Sequence, residues 1–74
     1  MFNWDQSNIG HIARHGVAPQ EVEQVFGNEP GDYGYEVAEG EPRWTIVGHT
    51  SQFRVLLIVW TVRTGAVRLI TARL

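Results

Sequence analysis

The stretch Val55-Leu56-Leu57-Ile58-Val59-Trp60 decides the fold of this 74-residue chain. It is short, rich in β-branched residues and bounded by polar positions, which reads as a strand. A strand with one wet face alternates apolar and polar side chains, whereas this one is apolar at both parities. Each face of the strand therefore needs cover. The helices predicted upstream supply one. The other is supplied by the C-terminal strand curling round or by another chain, and with few residues left over another chain is the expected cover.

Working outward, the strand is expected to run from Phe53 to about Val62, with a turn at Thr64-Gly65 and a last strand from Val67 to Leu74. Before it, His49 to Gln52 reads as a turn and Arg43 to Gly48 as another strand. The Gly-, Pro- and acid-rich segment 28–42 holds the alternation Tyr33, Tyr35, Val37, which predicts a short acidic edge strand.

Two helices come first. Asp5 or Ser7 offers an N-cap for a helix through about His15, with Ile9, Ile12 and Ala13 as its apolar stripe and Gly16 as the left-handed stop. Pro19 opens a second, with Glu21 and Glu23 at its positive end and Val22, Val25 and Phe26 facing inward. Phe2 to Trp4 reads as a short strand or extended arm. The expected architecture is an α+β single domain over residues 1–74: two N-terminal helices packed on a mainly antiparallel, twisted sheet of about four strands.

Charge is distributed unevenly. Residues 1–42 hold eight acids and one arginine, a net −7, while residues 43–74 hold five arginines and no acid, a net +5. Every cation is arginine, the side chain best suited to bidentate contact with phosphate or carboxylate. Either the two halves neutralise each other within the fold or the arginines form an anion-binding sheet. An even turn at Thr64-Gly65 pairs Val62 with Val67, Trp60 with Leu69, Ile58 with Thr71 and Leu56 with Arg73. Period-two alternation then makes Arg54 and Arg73 diagonal neighbours on one face, within reach of a shared anion, with Arg63 and Arg68 on the other. Trp44 and Trp60 are able to stack on bases, although a tryptophan in a central strand is more often core, the reading favoured for Trp60.

The histidines support no metal assignment. His11 and His15 have a helical i, i+4 spacing that zinc accepts, but nothing fixes His49 nearby as a third ligand. His15 has two readings: a proton-transfer group, because imidazole exchanges protons near neutral pH, or a cap on the helix C-terminus. The absence of cysteine fits a cytoplasmic protein. No apolar run approaches the roughly 20 residues of a membrane-spanning helix. Phosphate-loop, nucleophile-elbow and calcium-loop patterns are missing.

The order of residues across the whole chain resembles the BrnT family of bacterial toxins. The resemblance is carried by Phe2-x-Trp4-Asp5, Asn8, Arg14-His15-Gly16-Val17 and Val25-Phe26 in the first half. In the second half it is carried by Arg43, Ile46-Val47-Gly48, Arg54-Val55-Leu56-Leu57 and Arg68-Leu69-Ile70-Thr71-Ala72-Arg73. It implies a RelE-like fold and an endoribonuclease that needs no metal or cofactor, inhibits translation and is neutralised by a BrnA-like ribbon-helix-helix antitoxin. By position, the family's basic residues on the sheet and after the helix pair correspond to Arg14 or His15, Arg54 and Arg73. Arg54, Arg73 and His15 are the expected catalytic residues, and Arg14, Arg43, Arg68 and Trp60 the expected RNA contacts. Family members usually continue into a basic C-terminal segment, which this chain lacks. A non-catalytic binding module, either an inactive toxin relative or an oligomerisation domain, is the competing reading, and a homodimer is a second way to cover the sheet.

Overall fold

The computed structural model describes residues 1–74. Helices α1 (Gln6–Ala13) and α2 (Pro19–Gly27) precede strands β1 (Gly31–Ala38), β2 (Glu41–His49), β3 (Val55–Arg63) and β4 (Ala66–Arg73). The strands form one open antiparallel sheet in the order β1-β2-β3-β4. The α+β architecture expected from the sequence is the one observed, with both helices N-terminal.

Asp5 caps α1 through a reciprocal box with Asn8: each side chain accepts from the other's backbone N–H at 2.9 Å. Asn8 also donates to the Asn3 carbonyl at 2.8 Å, so both the oxygen and the nitrogen of this buried amide are hydrogen-bonded. The inward stripe of α1 is therefore Asn8 and Ile12, and the expected Ile9 and Ala13 are exposed. The helix stops two residues short of His15, with Arg14 at its C-cap, and Gly16 takes a left-handed φ of 72°. Pro19 opens α2, and Glu21 accepts from the Ala18 N–H in place of a capping side chain.

Both two-residue hairpins have positive φ at both turn positions, Glu39-Gly40 and Thr64-Gly65, the twist that matches antiparallel strands. The β2–β3 connection differs from expectation. Phe53 has a φ of 64° and lies in the loop, so β3 begins at Val55. Buried Thr50 organises this loop. Its hydroxyl accepts from the Gln52 and Arg54 N–H groups at 3.2 and 3.1 Å, and its backbone bonds Arg54 and Phe53.

One core joins Ile12 and Val17, Val22 and Val25 of α2, and Ile46, Leu56, Ile58, Leu69 and Ala72 of the sheet. Both helices thus cover the same face. Leu56 and Ile58 are fully buried there, each stabilising the fold by about 1.5–3 kcal/mol. The other parity of β3, Val55, Leu57 and Val59, faces away from the helices. Val55 is 58% exposed and Leu57 and Val59 are half-buried, so the first part of this face is open, whereas Thr61 at its far end is fully buried.

The register of β3 with β4 corrects an expectation. Val62 pairs with Val67 and Trp60 with Leu69, but Ile70 is bulged, and Val59 then pairs with Thr71, Ile58 with Ala72 and Leu57 with Arg73. One extra residue reverses the facing of everything beyond it. Ala72 turns into the core and Arg73 to the open face, whereas Arg54 shares the helix-side parity of Leu56. Arg54 and Arg73 are therefore on opposite faces.

Candidate functional site

The α1–α2 turn brings sequence-distant groups to the start of β3. Arg54 Nη1 donates to Glu21 Oε2 at 2.5 Å and to the Gly16 carbonyl at 3.3 Å. Glu21 sits in the first turn of α2 because the helix N-terminus favours a carboxylate there. Gly16 is held by the left-handed end of the turn. These contacts place Arg54 against Gly16, the residue that follows His15. The Arg54 side chain remains 35% exposed, and its other N–H groups are not engaged by protein partners. His15 is exposed, with its ring edge-on to His11 at 5.7 Å. His49 stacks instead on Phe53, and no group of three potential ligands converges.

The remaining arginines divide by their partners. Arg68 donates to Asp5 at 2.8 Å and to Asn3 at 3.3 Å, pinning the N-terminal arm. Arg43 and Arg63 both reach Glu41, at 3.3 and 3.0 Å. Four of the six cations thus meet a carboxylate of the chain, two of them sharing Glu41, and only Arg14 and Arg73 have no carboxylate partner. Internal pairing, the first reading of the charge asymmetry, therefore engages four of the six arginines.

Hydrogen bonding sets the ionisation of the two carboxylates most involved. The Asn8 backbone N–H, and then Arg68, hold the Asp5 carboxyl below its ordinary value. The Arg63 hydrogen bond does the same for Glu41, outweighing an opposing desolvation, and Arg43 adds to it. Both therefore favour their charged forms.

Trp60 lies apart from Arg54, Arg14 and Arg73. It packs edge-on to Phe26 at 5.6 Å and stacks on Trp44 at 4.9 Å, and its Nε1 is buried without an acceptor. The row extends from Tyr35, 5.4 Å from Trp44, through Phe26 to Phe2. Trp60 is thus built into the packing of the sheet. Glu21 and Thr50 are the two site-forming residues that sequence reading did not assign. An acid at the third position of a helix signals a capping role, but nothing local to Glu21 marks a partner 33 residues away.

No match is found among curated proteins. A family model described as "Ribonuclease toxin, BrnT, of type II toxin-antitoxin system" matches residues 4–74. That span takes in the N-terminal cap, both helices and all four strands. The chain belongs to the BrnT family of type II toxin–antitoxin ribonuclease toxins.

Proposed function

We propose that this chain is the toxin of a type II pair, an endoribonuclease that cleaves RNA, slows translation and is neutralised by a ribbon-helix-helix antitoxin. The observation that carries the site assignment is the anchoring of Arg54 beside the His15 turn. Arg54, held by Glu21, offers its uncommitted N–H groups to the scissile phosphate and stabilises the charge that develops there. His15 takes the proton of the adjacent 2′-hydroxyl of RNA as that oxygen bonds to phosphorus and the bond to the 5′-oxygen breaks. It returns the proton to the leaving 5′-oxygen, which leaves a 2′,3′-cyclic phosphate and needs no metal or cofactor. Arg73 lies on the other face of the same sheet end. It binds the strand further along rather than sharing one phosphate with Arg54. Arg14 adds to the same electrostatic surface.

The antitoxin accounts for the open sheet face. Val47, Leu57 and Val59 offer apolar area there, with Arg73 at the margin, so one partner covers the apolar strand and a phosphate-binding cation together.

The non-catalytic binding module is favoured by one observation, the pairing of four arginines with three of the chain's own acids. Induced expression in a bacterial host, with and without the antitoxin, separates the two. The toxin reading requires growth arrest with cleaved RNA, relieved by the antitoxin. Normal growth with intact RNA at high expression selects the binding module.

A further inference from the structure

The two edges of the sheet are treated differently. At β4 the N-terminal arm closes part of the edge: Asn3 N–H donates to the Val67 carbonyl at 2.7 Å and Val67 N–H to Met1 at 2.8 Å. Strand β1 has no such cover. It pairs only with β2, and its outward backbone groups meet no other segment. Tyr33, Tyr35 and Val37 are 72%, 60% and 61% exposed, an unusual amount of apolar surface for one edge strand. Beneath them a cavity of about 410 Å³ is lined by Asp32, Tyr33, Tyr35, Trp44, Ile46 and Trp60.

The charges around this edge restrict what can fill it. Glu29, Asp32, Glu36 and Glu39 lie on or beside β1, and none has a cation partner. RNA is disfavoured, because its phosphates meet unpaired carboxylates. A second copy is disfavoured too. Antiparallel two-fold pairing about Gly34 sets Asp32 of each chain against Glu36 of the other, and like charges directly opposite destabilise a strand pair. Acids and the bulge at Tyr33 are the ordinary means of keeping identical edges apart. They do not account for the open aromatic cleft behind the strand. The same charges that bar self-pairing select a cationic strand, and a basic side chain above Tyr35 or Trp44 gains from the ring face as well.

We propose that β1 is a docking edge for an extended, lysine- and arginine-bearing segment of a partner protein, which adds to the sheet as a fifth strand and seats an apolar side chain against Tyr35, Trp44 and Ile46. Backbone pairing supplies affinity, and the cleft and the acids supply specificity. This holds whether or not the chain cleaves RNA.

The test uses the full chain and two synthetic extended peptides, one alternating lysine with valine and one with glutamate in place of lysine. Tryptophan fluorescence reports the cleft, and backbone hydrogen exchange reports residues 31–38. The lysine peptide is expected to bind at least about ten-fold more tightly, protect 31–38 and shift the fluorescence. The exposed double substitution Asp32→Lys, Glu36→Lys is expected to abolish that preference while leaving the melting transition in place. The proposal is overturned by equal binding of the two peptides, absence of binding, or protection elsewhere in the chain. Full affinity in the double variant also overturns it, as does tighter protection of 31–38 by oligouridylate or by self-association.

Discussion

Arg54 and Glu21 form an ion pair that ties the start of β3 to the first turn of α2. The same guanidinium nitrogen bonds the Gly16 carbonyl, so one side chain fixes three segments relative to one another. Because both partners are partly exposed, the pair orients Arg54 more than it stabilises the fold.

A double-mutant cycle of Arg54→Ala and Glu21→Gln is expected to give a coupling of roughly 0.5–1 kcal/mol in denaturant melts. Growth inhibition in vivo is expected to fall far more than that loss of stability explains for Arg54→Ala. A variant that keeps full toxicity removes Arg54 from the site.

Thr50 supports the same residue from the other side, through the Arg54 N–H. Thr50→Val keeps the shape and leaves two backbone donors without their acceptor, at a cost of about 1–3 kcal/mol. Thr50→Ser is expected to retain most of the stability. Thermal melts of the two variants check this, and equal losses count against the hydroxyl's role.

Gly48 of β2 lies directly against Val25 of α2 and Pro30 beyond it. A Cβ added there meets Val25 Cγ1 at 2.9 Å and Pro30 Cβ and Cα at 3.0 and 3.2 Å. Gly48→Ala is expected to destabilise by about 1–3 kcal/mol. Gly31→Ala, whose nearest contact is 3.8 Å, serves as the mild comparison in the same unfolding assay.

Acid should loosen the N-terminal arm and the β2–β3 edge. Asp5 and Glu41 are held below their ordinary values of 3.8 and 4.5, so they bind fewer protons folded than unfolded. Their contribution is complete above those values and is lost as pH falls through the lowered native ones. Melting temperature measured from neutral pH downward is expected to decline in that window. Asp5→Asn with Glu41→Gln is expected to flatten the decline, and an unchanged slope rules these two groups out.

Arg14 and Arg73 carry no internal partner, so Arg14→Ala and Arg73→Ala are expected to change stability by less than about 0.5 kcal/mol. RNA binding by each variant should weaken and show a smaller salt dependence than the parent chain. Binding that is unchanged at low salt excludes them from the RNA surface.

The sequence by itself determined the element types. Six apolar residues of both parities specify a central strand, Asp5 and Pro19 start helices, and Gly16, Gly40 and Gly65 supply the positive φ that their turns require. All of these signals are local, arising from periodicity and backbone sterics within a few residues. That part of the second face is open was legible for the same reason, but the burial of Thr61 on that face was not.

The tertiary structure alone decided which charges act together. A single bulged residue, Ile70, sent Arg73 to the face opposite Arg54, and strand alternation cannot foresee a slip made to fit Leu69 and Ala72 into one core. The pairing of Arg54 with Glu21, Arg68 with Asp5, and Arg43 and Arg63 with Glu41 depends on how helices and hairpins dock. That docking left Arg14 and Arg73 without carboxylate partners and the acids of the β1 edge without cations. Composition counts charges, but only packing sets the distances between them, and Coulombic attraction depends on distance.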